Sequence, residues 1–267
     1  MRAYATFFKM RLLNGLQYRA AAYAGVVTQF AWGFMTILMF GAFYRSSPDN
    51  FPMTFSQLST YIWLQQAFLA LFMAWLFDNE IFDSITNGNV SYELCRPTGL
   101  YEMWFVRSLS SRVYRVILRC APILLVAAFL PQPYGISLPP DASSFFLFLI
   151  SMALGSVLMV GISMLVYISA FYTISSMGIR ILAISLIELL AGALIPLPFF
   201  PETMQRVLNL LPFASLQNTP FLIYNGFLAG REAFHALLIQ LVWAIALILS
   251  GKLLLGRALK KIVVQGG

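Results

Sequence analysis

RSLSSRVYRVILRCAPILLVAAFL, residues 107–130, is the stretch on which the topology of this 267-residue chain turns. Its apolar part, Cys120 to Leu130, is too short to cross a bilayer, and Pro131 and Pro133 close it off. A crossing helix needs about 20 residues, because each adds about 1.5 Å to a path of about 30 Å. To span, this helix must take in some of its arginines, Arg107, Arg112, Arg115 and Arg119. The last three are spaced three and four apart and share one helical face. Arg112 and Arg115 are expected to reach back to the cytosolic headgroups along their own stems. Arg119 is expected to lie deeper and to face protein or water.

The rest of the chain makes lipid its natural solvent. Hydrophobic residues make up 60% of it and charged ones only 10%, against roughly 25% charged in a soluble domain. The mean hydropathy is +0.80. Such a chain has too little charged surface to cover itself in water, which excludes a soluble enzyme. A formal net charge of +7 would point to nucleic acid in a soluble protein. Here the basic residues stand at the ends of apolar runs, where they orient a membrane chain, and no nucleic-acid partner is expected.

The first span lies between Arg19 and Arg45, since the uncharged run from Ala20 to Tyr44 is too long for a cleavable leader. The second covers about 57–77, and the third is the opening stretch. From Ala142 to Ile179 there is no charge at all. As one helix this run would be about 57 Å long, nearly twice the hydrocarbon core, so it must break. The fourth span is placed at 145–168 and the fifth from about Ile174 to Ile195. Arg180 lies near the start of the fifth, Glu188 in its middle, and Pro196, Pro198 and Pro201 stop it. The sixth covers about 233–255 and is closed by Lys252, Arg257, Lys260 and Lys261.

With the N-terminus inside, fourteen of the seventeen Lys and Arg fall on cytosolic segments, and only Arg45, Arg206 and Arg231 lie outside. Without the third crossing the C-terminal basic cluster would lie outside, so parity favours six spans. The expected fold is all-α: one polytopic membrane domain over 1–267 with six transmembrane helices and both termini cytosolic. An N-terminal amphipathic interfacial helix over 1–19 places Tyr4, Phe7, Phe8 and Leu12 on one face. The long inner loop covers 78–106, and short outer re-entrant helices fill 196–231 after the fifth span.

Few residues carry chemistry. Cys95 and Cys120 have neither metal nor redox spacing, and His235 is the only histidine. The pattern GxxxxGK[ST] does not occur. Gly251-Lys252 lacks both the upstream glycine and the following Ser or Thr, so this chain is not expected to hydrolyse ATP itself. Glu188 within a span must be protonated, paired or turned to water. Two readings of it stand together, a cargo or gate contact and a hydrogen bond to a neighbouring helix. The arginine face of Arg112, Arg115 and Arg119 is a candidate partner for Glu188, a contact for anionic lipid, or an anchor at the headgroups.

The inner loop reads DNEIFDSITNGNVSYELCRPTGLYEMW over 78–104. It starts acidic, sets Ile81, Phe82 and Ile85 at helical spacing, breaks at Asn87-Gly88-Asn89 and stops again at Arg96-Pro97. Ile81, Phe82, Ile85, Val90, Tyr92 and Leu94 are then expected to face an aqueous compartment among charges. That is the pattern of a docking surface rather than of a solvated connector.

Over its full length the chain resembles an ABC-2-type ABC transporter permease, the membrane subunit of an exporter. The resemblance rests on the basic amphipathic start, the six spans and EIFDSITNGNVSYELCRP. This last is similar to the family pattern of glutamate, apolar residue, then G-x-apolar-x-x-x-L-x-R-P, met here by Glu80, Ile81, Gly88, Val90, Leu94, Arg96 and Pro97. The proline-bounded outer segment FFPETMQRVLNLLPF also fits. The chain looks closest to a small bacterial subgroup of paired permeases.

The resemblance implies a bacterial cytoplasmic membrane and a cytosolic ABC ATPase subunit in two copies. It implies that ATP and Mg are bound there rather than by this chain, and that a second permease, self or related, stands alongside among the membrane lipids. It also implies that the inner loop carries a coupling helix. Glu80, Ile81, Phe82, Asp83, Ile85, Gly88, Asn89, Glu93 and Arg96 would transmit movement to and from the ATPase. Glu188, Arg112, Arg115 and Arg119 are the candidates within the membrane. The cargo stays open among lipid, peptide, drug and glycan. The alternatives are an ATP-independent channel or secondary transporter, or a membrane assembly scaffold. A single intramembrane carboxylate and the absence of a convincing inverted repeat count against the transporter alternative.

Overall fold

The computed structural model describes residues 2–17, 19–173 and 175–260, with the backbone alone for 19–22. Ile174, Lys261 and the side chain of Arg19, all used above, lie outside the described residues. Every regular element among the described residues is helical. In chain order these are α1 (Arg2–Gly15), α2 (Arg19–Ser46), α3 (Phe55–Phe72), α4 (Asn79–Thr86), α5 (Val90–Leu94), α6 (Leu100–Phe129), α7 (Ala142–Ser169), α8 (Ser176–Leu190), α9 (Glu202–Leu208), α10 (Asn218–Tyr224) and α11 (Gly230–Leu259). Three of them are long and apolar enough to cross a membrane, over Tyr23–Ser46, Ala142–Tyr172 and Gly230–Leu259. Helices α3, α6 and α8 stand at the other three expected places, but are shorter or carry charge.

The long uncharged run breaks where its length demands. Helix α7 ends at Ser169, tightens into one 3-10 turn over Ala170–Tyr172 and passes into extended backbone at Thr173. The Ser175 side chain then caps α8 by accepting a hydrogen bond from Met177 N at 3.4 Å. Helix α8 stops at Leu190, short of the expected Ile195. Gly192 takes a left-handed φ of 74°, which turns the chain before the prolines are reached. Helix α6 corrects the expected loop boundary. It starts at Leu100 rather than after residue 106 and runs unbroken through Pro122 to Phe129, about 45 Å.

Helix α3 is the hub. Thr54 and Gln57 close a capping box at its start, and every residue from Leu58 to Ala67 is buried. Its polar side chains bind the segment after α8. Tyr61 Oη donates to the Gly192 carbonyl at 3.1 Å, Gln65 Nε2 to the Ala193 carbonyl, and Gln57 Nε2 to the Asn225 carbonyl at 3.3 Å. These bonds satisfy irregular backbone that enters the bundle, where water cannot.

The segment over 196–231 folds inward. Phe221 and Ile223 of α10 are fully buried beside α7. Gly155 of α7 is needed for this approach, because a Cβ there would stand 2.5 Å from the Leu216 carbonyl oxygen. Gln240 of α11 ties the layers together. Its Nε2 donates to the Ser215 carbonyl at 2.7 Å, and its Oε1 accepts from Ser151 Oγ at 2.8 Å.

Helix α1 lies along the first half of α6. Tyr4, Phe7, Phe8 and Leu12, the face expected from the sequence, are half-buried, as is Arg11. Tyr4 Oη accepts from Gly99 N at 2.9 Å, and Gly15 meets the Tyr114 ring with no room for a side chain.

Candidate functional site

The basic end of the bundle is built around the short α4–α5 segment. Helix α3 ends at Phe72 and leaves carbonyls without helical donors. Arg112 of α6 supplies them. Its Nη1 donates to the Leu71 and Met73 carbonyls at 3.0 Å each, and its Nη2 to the Leu76 carbonyl at 3.1 Å and Ser163 Oγ at 3.2 Å. The cation also sits at the negative end of the α3 dipole.

The next turn brings Asp78, which caps α4 by accepting from Glu80 N at 3.1 Å, while its own N–H donates to Tyr167 Oη at 2.8 Å. Arg107 then grips both Asp78 carboxylate oxygens and Glu80. Such a forked pair fixes direction as well as distance.

The apolar side of α4 is held just as firmly. Phe82 packs edge-on against Tyr167 at 5.0 Å and Phe77 at 5.9 Å. Arg180, at the start of α8, lies over the Phe82 ring at 4.8 Å. Trp104 stacks on Phe171 at 6.4 Å and donates its indole N–H to Glu93 Oε2 at 2.8 Å. Thus α4 and α5 are bonded to α6, to the end of α7 and to the start of α8. They sit over the break between α7 and α8.

Two expectations need correction. Ile81, Phe82 and Val90 do not face water: they are 0%, 3% and 1% exposed. Burying each adds about 1.5–3 kcal/mol to the seating of this segment. Ile85 is half-buried. The segment is amphipathic as its spacing predicts, but its apolar face meets α6 and α7 of the same chain. What faces outward is the polar tip, Asp83, Thr86, Asn87, Gly88 and Asn89, followed by Tyr92, Leu94 and Arg96, with Tyr92 75% exposed. Gly88 forms the tip at φ 73°, a conformation that a side chain would strain.

The second correction concerns the arginine face. Arg112, expected at the headgroups, is the deeply buried one at 1% exposure. Arg115 and Arg119 are half-buried. The cause is the α3 terminus, which needs a donor at that one position. Glu188 is half-buried on α8, and the structure does not bring it to the arginines. It forms no hydrogen bond or ion pair among the described residues.

Sequence reasoning missed Arg107, Tyr167, Trp104 and Arg180 as the residues that seat the segment. Their partners lie up to 100 residues away, and no local spacing signals them. At the edge of the site, Lys252 of α11 reaches Glu102 at 2.6 Å. Two polar cavities of about 300 and 260 Å³ flank Arg107. A third, of about 650 Å³, lies at the opposite end between the 197–228 segment and the start of α11, with His235 on its wall.

Compared with known families, residues 30–266 match the family described as ABC-2 family transporter protein. No curated protein matches the chain.

Proposed function

This chain belongs to the ABC-2 transporter family, so it is a membrane subunit of an ABC transporter that works with an ABC ATPase subunit, and we propose how its geometry serves that partnership. The α4–α5 tip is the coupling element. Asp83, Gly88, Asn89 and the neighbouring exposed residues enter a groove on the ATPase. Arg96 stands exposed beside them, and Glu80, Ile81, Phe82, Ile85 and Glu93 hold the tip in shape from behind.

The observation that carries this reading is the clamp just described. Arg107 and Arg180, from α6 and α8, grip the same short helix from two sides. Movement of α4 is then passed to α6 and to the α7–α8 break without a flexible linker. Alternation is a shift between two packings biased by the nucleotide state of the ATPase.

In this account the chain is one permease domain. Helices α2, α3, α6, α7, α8 and α11 are its six crossings, both termini are cytosolic, α1 lies at the inner interface and the 196–231 segment covers the outer mouth. The membrane is a bacterial cytoplasmic membrane. Two ATPase copies bind ATP and Mg, a second permease completes the pathway, and a cargo of lipid, peptide, drug or glycan class moves outward. Asp83→Arg tests the coupling role. The variant is expected to reach the membrane at the wild-type level and to lose most cargo-stimulated ATP hydrolysis. Wild-type stimulation in that variant overturns the assignment.

A further inference from the structure

The arginines of α6 fall into two pairs. Arg107 is neutralised by Asp78 and Glu80, and Arg112 gives its two terminal nitrogens to four oxygens, with its Nε alone left without a partner. Arg115 and Arg119, one turn apart, form no hydrogen bond or ion pair among the described residues, their Nε atoms are buried without an acceptor, and Arg115 rests over the Tyr114 ring at 5.5 Å. Arg11 of α1 also has no acceptor among the described residues and rests over the Phe7 ring at 5.4 Å. Arg11 and Arg115 line the same polar cavity of about 300 Å³. Asp78 and Glu80 border that cavity too, but Arg107 already engages both.

Arg119, one turn further along α6, meets α2. A Cβ at Gly25 would come within 2.7 Å of Arg119 Cζ, so the guanidinium lies directly on that helix. One turn further along α2, Gln29 is 3% exposed, and neither end of its amide has a partner. Arg115 shares a cavity with Arg11, and Arg119, one turn along α6, lies against α2, so three cations with donors to spare stand along this face of α6. Burial removes water from such donors at a cost that an anion can offset. The guanidinium fork matches phosphate oxygens in pairs. Because α6 is read as a crossing, the anion that reaches these arginines is a lipid headgroup.

We propose that this face of α6, flanked by α1 and α2, binds the phosphate of an anionic lipid, held by Arg11, Arg115 and Arg119. The lipid is either a resident phospholipid or a lipid-like cargo, and both present the same headgroup chemistry. The site does not depend on the ATP-coupled reading, because binding is read without nucleotide.

The test uses the permease purified with its ATPase, in nanodiscs of phosphatidylcholine with a minor share of phosphatidylglycerol. Native mass spectrometry counts the phosphatidylglycerol retained. The R115Q/R119Q double variant is expected to retain at least about tenfold less, the equivalent of one lost charge-assisted hydrogen bond. R115K/R119K, with the charge but not the fork, falls between. Equal retention by wild type and R115Q/R119Q overturns the proposal, as does displacement of the lipid by millimolar inorganic phosphate alone. Should the glutamine variant not fold, thermal melting of the wild type decides. Phosphatidylglycerol raises its Tm above that in pure phosphatidylcholine if the site exists, and no shift refutes it. Retention through ATP turnover identifies a resident lipid and release identifies cargo, and either supports the site.

Discussion

Replacing Arg112 with methionine separates two arginines that look alike in the sequence. The guanidinium donates to three carbonyls within 3.1 Å and to Ser163 Oγ at 3.2 Å, at 1% exposure. Methionine fills a similar volume but donates nothing. Charge-assisted bonds of this kind are worth about 1.5–3 kcal/mol each, yet burial of the cation opposes them, so their sum overstates the effect. Three carbonyls left without donors, at about 1 kcal/mol each after relaxation, give a loss of about 3 kcal/mol. That is roughly a hundredfold in the ratio of folded to unfolded protein. Equilibrium unfolding in mixed micelles, followed by tryptophan fluorescence, measures it. Arg115→Met and Arg119→Met, which break no hydrogen bond or ion pair among the described residues, are expected to stay within about 0.5 kcal/mol of wild type. If Arg112→Met unfolds no more readily than Arg115→Met, the capping account of α3 is wrong.

Other substitutions probe the rest of the architecture. Gly155→Ala places a methyl group 2.5 Å from the Leu216 carbonyl oxygen, and a denaturation midpoint is expected to report about 1–3 kcal/mol of lost stability. Gln240→Leu strands Ser151 and the Ser215 carbonyl, costing about 1–2 kcal/mol on the scale of hydrogen bonds between membrane helices, again read by denaturation. Phe82→Asp puts a carboxylate between Phe77 and Tyr167. It is expected to cost about 3 kcal/mol or more and to lower the yield of folded protein on size exclusion, whereas Asp83→Arg leaves that yield unchanged.

Much of this architecture is legible in the sequence because it follows from length and sign of charge. The break between α7 and α8 is forced by an uncharged run too long for one crossing. The α1 face of Tyr4, Phe7, Phe8 and Leu12 follows from helical spacing. The candidate site was legible only in part. The spacing of Ile81, Phe82 and Ile85 marks an amphipathic helix, but amphipathicity does not say whose surface covers the apolar face. Here Tyr167 and Trp104 of the same chain cover it. The roles of Arg107 and Arg112 were illegible for a related reason. Each answers a need created at the end of α3 or the start of α4, some 30 to 40 residues earlier. Glu188, the most conspicuous charge in the sequence, forms no hydrogen bond or ion pair among the described residues.

The central claim is that the polar tip, not the apolar face of α4, meets the ATPase, and site-directed cross-linking tests it most directly. Cys95 is exposed at the same end and Cys120 is half-buried, so both are first changed to serine. A single cysteine is then introduced at Asn87 or at Tyr92, with Met204 on α9 as the control at the opposite end. In native membranes a short bifunctional maleimide is expected to join Asn87→Cys and Tyr92→Cys to the ATPase subunit, in a yield that changes between ATP-bound and nucleotide-free states, and to leave Met204→Cys unjoined. Cross-linking from Met204→Cys, or from neither tip position, contradicts the account.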